Sequence, residues 1–231
     1  MTARRRFYKE VAVTPELGIA LDGRAVKTPM KLALQLPNAA LAGAVAAEWA
    51  GQGAEINPAG MIMTRLANTA IDRVRPDRMR IEAEVCDYAN SDLVCYRAEG
   101  PAELVRLQAG LWDPVVDWAR TELDAPFEVT AGLIHRPQPE GALAATAVAA
   151  RALSDFELAA IHTVMTLSGS ALIGLMLARA ALLPEEAWRA AHVDEDYQAE
   201  YWGADAEAEA RRAAREIEFL AACRFLALAA G

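Results

Sequence analysis

Residues 171–182 read ALIGLMLARAAL, a run that at helical spacing is apolar on nearly every face. A helix of that kind cannot lie on a surface, so the chain must supply partners that enclose it on all sides. This predicts a central helix in a helical layer. The most apolar run, 171–183, is too short to span a bilayer, because His162, Ser168 and Gly169 interrupt its upstream extension. Gly174 offers a place for a neighbouring helix to approach closely. Ser154 and Glu157 have capping-box spacing for a preceding helix over 155–167, and Ser168-Gly169-Ser170 separates the two. Enclosing such a helix takes many residues, and 231 suffice for one large domain or two small ones. Plentiful Ala with only five each of Phe, Tyr and Trp favours closely packed helices.

The N-terminal part has a different period. Val11 and Val13 alternate, as do Ile19 and Leu21, and Asp22-Gly23 stands between short apolar runs. Asp-Gly there signals a hairpin, since a type I′ turn needs positive φ at both central residues. Pro15 and Gly18 punctuate an earlier turn and Thr28-Pro29 a later one, predicting an antiparallel meander of about four strands over 7–36. So small a sheet needs a cover. A helix capped by Asn38 and carrying Leu41, Val45, Trp49 and Gln52, ended by Gly51 and Gly53, supplies it, with Trp49 as its core anchor. The fold class expected is α+β: a small antiparallel β-rich domain over 1–56, then a larger, mainly α-helical domain over 57–231.

Within the second part, Thr64 and Asp77 are read as caps of two helices, through Ile71 and through Tyr88. A brief extended piece over 93–96 follows. Pro101 reopens helix, and Asp113-Pro114 reads as a cap and first-turn proline of another. Residues 127–130 read as a further strand and 134–139 as loop. After Pro184 a helix is expected to run to Gly203, followed by an Ala-rich terminal helix over 205–228 in which Glu207 and Arg211 pair at i,i+4.

The segment 188–212 carries the most distinctive chemistry. On one continuous helix Trp188, His192, Glu195, Ala199 and Trp202 share a face, which puts Glu195 between two tryptophans. Val193, Tyr197 and Tyr201 form a second row. Seven acidic residues between Arg189 and Arg211 leave the rim negative. A carboxylate on an aromatic face must find a cation or hydrogen-bond donors, or else take up a proton, and an internal arginine is the plainest way to satisfy it. The net charge of −9, with no long basic patch beyond Arg4, Arg5, Arg6 and Lys9, counts against nucleic acid and for a basic partner surface.

Catalytic and metal patterns are weak. The histidines His135, His162 and His192 are dispersed, and only His192 with Asp196 has a ligand-like spacing, so no metal or cofactor is expected. The three cysteines, Cys86, Cys95 and Cys223, form neither a close pair nor an even set, which points to a reducing compartment. There is no Gly-rich phosphate loop and no G-x-S-x-G elbow. The basic start has no apolar segment behind it, so no signal peptide is expected. Three readings stay open from the residues alone: a protein-binding module, an acid/base hydrolase using Glu195 and His192, and an unrelated scaffold.

Several segments resemble one family in its order. They are RFYKEV at 6–11, LDGRAVKTP at 21–29, L-x-L-P at 34–37, EWAGQ at 48–52, P-x-x-M-x-M-T at 58–64 and NTAID at 68–72. DLVCYR at 92–97, W-x-P-x-x-x-W at 112–118 and DEDYQAEYWG at 194–203 follow. Together they are similar to the ATP-twelve family, assembly chaperones that bind the alpha subunit of the ATP synthase F-one sector. Ile62 departs from the proline many members carry there. The resemblance implies a β-rich N-terminal domain and a helical C-terminal domain. It also implies a non-enzymatic role, that of holding free alpha subunit until the beta subunit replaces it. No cofactor, no nucleic acid and no membrane insertion are implied, and the expected state is a monomer in the bacterial cytoplasm, or in the mitochondrial matrix of a eukaryote. In that frame Glu195, Asp196, Tyr197, Gln198, Glu200, Tyr201 and Trp202 are the expected partner-binding residues, with Glu195 matched to the family's important glutamate. Trp49, Asp22 and Gly23 are the expected structural residues.

Overall fold

Asp22 and Gly23 both have positive φ, 47° and 76°, and close the hairpin the sequence pattern calls for. The Asp22 carboxylate also accepts from the Lys9 and Glu10 amides, at 3.0 and 2.8 Å. Those backbone donors hold its pKa below the usual carboxylate value. In the computed structural model, which describes residues 4–132, 134–203 and 205–231, this turn joins two strands of a three-stranded antiparallel sheet. A first strand, β1 (Arg4–Arg5), pairs instead with β5 (Glu55–Ile56). The sheet itself is β2 (Val11–Val13), β3 (Ile19–Leu21) and β4 (Arg24–Ala25), with Val11 opposite Leu21 and Leu21 opposite Arg24. The fourth strand expected here is reduced to isolated bridges, Lys27 to Ala33 and Gly18 to Gln35. Lys31 takes the left-handed conformation and bends the chain between them.

Helix α1 (Ala39–Ala50) covers the sheet, with Asn38 Oδ1 accepting from the Leu41 amide at 2.9 Å. Trp49 is half-buried, edge-on to Tyr8 at 5.8 Å between ring centroids, and Tyr8 donates to its carbonyl at 2.7 Å. Trp49 touches both a small cluster of Tyr8, Leu21, Ile56 and Met61 and the main core. That main core contains Ile19, Leu34 and Leu41 together with the helical residues Leu66, Ile161 and Leu172. The apolar cluster thus continues across residue 56.

Two expected caps are corrected. Thr64 does not begin its helix: α2 (Ile62–Thr69) starts two residues earlier, and its first turn is capped from outside by Glu48 of α1. The Glu48 carboxylate accepts from the Met63 amide at 2.7 Å and from the Thr64 amide and hydroxyl at 2.8 Å each. An acid from another helix satisfies donors that a local cap would otherwise take. Asp77 does stand at the N-cap of α3 (Arg78–Asn90), at φ −132°, after a π turn (Ala70–Val74) and a 3-10 turn (Arg75–Asp77), but its side chain makes no capping bond. The Asp77 carboxylate takes the Arg80 guanidinium at 2.5 Å instead.

The piece expected to be extended over 93–96 is a 3-10 turn (Leu93–Cys95) leading into β6 (Tyr96–Arg97). Helix α4 (Ala102–Glu122) then runs unbroken through Pro114. Asp113-Pro114 is therefore not a helix start: Trp112, Val115, Val116 and Ala119 are all buried, and their packing holds the helix across the proline. The strand expected over 127–130 shrinks to β7 (Thr130–Ala131), parallel to β6.

Helices α5 (Glu140–Arg151) and α6 (Asp155–Ser168) follow, the second with the Ser154–Glu157 capping box and Gly169 at φ 74° as its left-handed stop. Helix α7 (Ala171–Ala178) is the enclosed one, buried from Ala171 to Leu177 and packed against α3, α4 and α6. It ends before Leu182. A Cβ at Gly174 would come within 3.3 Å of Ile161, so the absent side chain is what admits α6. At the head of α7, the fully buried Asp92 accepts from the Leu172 amide at 2.9 Å, and Ser170 accepts from the Ile173 amide.

The segment after Pro184 is two helices, α8 (Pro184–Ala191) and α9 (Val193–Trp202), broken at His192 with φ −122°. The last helix, α10 (Ala206–Ala230), places Phe219 and Phe225 in the core with α6 and α7, while its first three turns stay exposed. Asp205 caps it, and Glu207 pairs with Arg211 at 2.5 Å.

Candidate functional site

The break at His192 separates the residues that one straight helix would have aligned. Trp188 is 4% exposed, stacked near His192 with ring centroids 3.6 Å apart and tilted against Phe219 at 5.3 Å. His192 is 2% exposed, and its Nδ1 hydrogen-bonds the Trp188 carbonyl at 2.9 Å. Burial pushes its pKa below the ordinary imidazole value, so it is neutral at pH 7. The shared face of Trp188, Glu195 and Trp202 does not exist: Trp188 is core, and Trp202 at 84% exposure is solvent. Their different neighbours rotate α9 away from the line of α8.

What α9 does present is a ridge between two grooves. Tyr197, Tyr201 and Trp202 run along it, with ring centroids 5.9 and 6.0 Å apart, and Tyr201 is 69% exposed. On one side an open groove of about 820 Å³ separates α9 from the exposed start of α10, lined by Glu195, Gln198 and Trp202 on one wall and by Arg211, Arg212 and Arg215 on the other. On the other side a groove of about 480 Å³ lies against α4 and α8, where Tyr197, Asp196 and Glu200 meet Arg106, Leu107 and Gly110. All seven expected partner-binding residues sit on α9, and each lines one of these grooves or, as Tyr201 does, stands on the ridge.

The acidic rim read from sequence is answered in part by α10. Asp196 pairs with Arg212, and Glu195 faces Arg215 at 3.6 Å with both side chains about half exposed. Arg215 also donates to the Leu167 carbonyl at the end of α6 at 2.9 Å. Glu195 is thus accessible and loosely paired, neither locked in the interior nor bare. The junction of α8 and α9 is fixed more firmly: buried Gln108 donates to Asp194 of α9 at 2.7 Å, and Trp112 Nε1 donates to the Ala190 carbonyl of α8 at 2.7 Å.

Gln108, Arg212 and Arg215 are residues that sequence pattern does not single out for this site. The two arginines do carry a signal, since they stand on the helix that follows the acids and must fold back on them, while Gln108 carries none. Glu195 and His192 do not share a cleft: Glu195 lines the wider groove and His192 lines neither groove. Among the described residues no group of three or more His, Cys, Asp or Glu converges as metal ligands, and Cys86, Cys95 and Cys223 are free. No described helix is long and apolar enough to cross a membrane.

Residues 5–120 match the family described as ATP12 chaperone protein. The chain is 41% identical to Atp12 from Paracoccus denitrificans, with a TM-score of 0.91 over 98% of this chain and 98% of that one. It is 44% identical to a candidate chaperone from Agrobacterium tumefaciens, with a TM-score of 0.92 over 97% of this chain and 86% of that one.

Proposed function

The chain belongs to the ATP12 chaperone family, and on that premise we propose that it serves assembly of the ATP synthase F-one sector by holding the unassembled alpha subunit until the beta subunit takes its place. The observation that carries this reading is the ridge of α9, where Tyr201 and Trp202 stand in solvent beside an open groove. Exposed aromatics next to a groove are what a protein contact uses as anchors. An unassembled ring subunit has apolar interface to cover, and a temporary cover must release it, so complementarity without extreme affinity is required. Loosely held ion pairs suit that demand. Glu195 can leave Arg215 at 3.6 Å for a cation on the client at little cost, because exposed pairs contribute about 0–1 kcal/mol.

On this reading the protein works as a monomer without cofactor, in the bacterial cytoplasm or the matrix of a mitochondrion, and it catalyses no reaction. Mixing it with isolated alpha subunit should give a complex on size exclusion and suppress aggregation of alpha. The absence of both a complex and suppression would refute the proposal. A pull-down from native lysate that returns other partners and no alpha subunit would favour the unrelated-scaffold reading.

A further inference from the structure

The groove between α4, α8 and α9 has a chemistry that the acidic character of α9 does not explain. Its floor is apolar, with Leu107 42% exposed although its neighbours Gln108 and Trp112 are buried. Gly110 opens it further: a Cβ there would meet no atom within 4 Å. Residue 114 is proline, so the helical N–H that would reach the Gly110 carbonyl does not exist, and a backbone acceptor is left beside the groove. Arg106 and Arg189 both line this groove, and among the described residues neither makes an ion pair. Of the two lining acids, Asp196 is already taken by Arg212, which leaves Glu200 as the only lining carboxylate without a described pair. The lining residues thus hold two guanidinium groups without an ion pair and one such carboxylate, while the Glu103 carboxylate also acts on Tyr197.

We propose that this groove is the anchor pocket of the client contact, taking an apolar side chain from a client segment that also carries a carboxylate, which Arg106 and Arg189 receive. This rests on the chaperone reading above and deepens it. The aromatic ridge would cover client surface broadly, whereas the pocket would fix the register of one segment, and its charge selects for acidic neighbours. Guanidinium groups suit that role because they bind carboxylates in planar, bidentate fashion. The partner chemistry here is the opposite of that suited to Glu195, so the two sides of α9 would read different signs on one client.

The test uses the full chain and isolated alpha subunit, with affinity measured by titration and the fold followed by circular dichroism and thermal midpoint. Gly110→Phe fills the pocket from a helical position with open space above it, and should weaken binding at least tenfold with the midpoint unchanged or raised. Arg106→Glu with Arg189→Glu should weaken binding similarly and flatten its salt dependence, and this charge variant decides the matter if the phenylalanine perturbs α4. Wild-type affinity in a folded Gly110→Phe variant, or in the double charge reversal, would overturn the pocket while leaving the chaperone reading intact. Wild-type protein that fails to bind alpha would overturn both.

Discussion

Gln108 Nε2 donates to Asp194 Oδ1 at 2.7 Å while its Oε1 accepts from the Ala98 amide at 2.8 Å, so one buried amide ties the end of β6 through α4 to the first turn of α9. The ridge is thereby seated on its inner side while its outer side remains free. Gln108→Leu removes both bonds and strands the Ala98 N–H, which should cost about 2 kcal/mol in urea unfolding. The same variant should speed amide exchange in α9 more than in α6 or α7. Equal protection of α9 in the variant and the parent would show that Gln108 does not seat it.

Glu48 should matter for stability more than its position on a covering helix suggests. Its carboxylate satisfies two backbone donors and a hydroxyl at the start of α2, joining the sheet's cover to the helical part. Glu48→Ala should lower stability by about 2 kcal/mol, at the upper end of cap losses, and Glu48→Gln by less, since the amide oxygen still accepts. Urea denaturation of the two variants checks the order.

Asp92 gives a pH dependence of unusual sign. Burial raises its pKa to about 6, against the pull of hydrogen bonds from Ser170, Leu172 and Val94. The folded protein therefore binds this proton more tightly than the unfolded chain, whose carboxyl titrates near 3.8. The stabilisation is full below pH 3.8 and is lost as pH rises through about 6. It amounts to up to about 3 kcal/mol, from the difference between the two values at 1.36 kcal/mol per unit. His192 acts the other way: its lowered pKa means stability present above 6.5 and lost as pH falls. Subtracting the pH profile of Asp92→Asn from that of the parent isolates the first effect. The difference should favour the parent increasingly from pH 7 down to pH 4.

Trp49→Arg should be severe. The indole bridges the cluster around Tyr8 and the main core, and a guanidinium there would be partly buried without a partner, at a cost of several kcal/mol. Thermal unfolding near the parent midpoint would contradict that placement.

Sequence signals are legible where the physics is local. Asp22-Gly23 specifies its turn because both residues tolerate positive φ, Ser154 and Glu157 close their box within one turn, and residues 171–177 announce their burial by lacking a polar face. Sequence pattern misleads where a distant partner decides. Glu48 lies 15 residues from the Met63 amide it caps, so Thr64 has the look of the cap. Pro114 has the look of a helix start, but buried Trp112 and Val115 on either side carry the helix through it. For α9 the ten residues DEDYQAEYWG stand out as a unit, yet their orientation is not legible. Periodicity assumes a straight helix, whereas the Trp188 ring and the His192 imidazole turn into the core and end α8 there. The arginines of α10 that answer Asp196 and Glu195 stand on the next helix of the chain, so the reversal is legible but the pairing of individual residues is not.

Titration of isolated alpha subunit with the parent protein and with Trp202→Ala and Glu195→Lys tests the role of the ridge most directly. Both side chains are exposed, so both variants should keep the parent's circular dichroism and thermal midpoint while losing at least tenfold in affinity, about 1.4 kcal/mol. Parent-like affinity in both folded variants would mean that α9 does not contact the client, and a collapsed fold in Glu195→Lys would make Glu195 a structural partner of Arg215 instead.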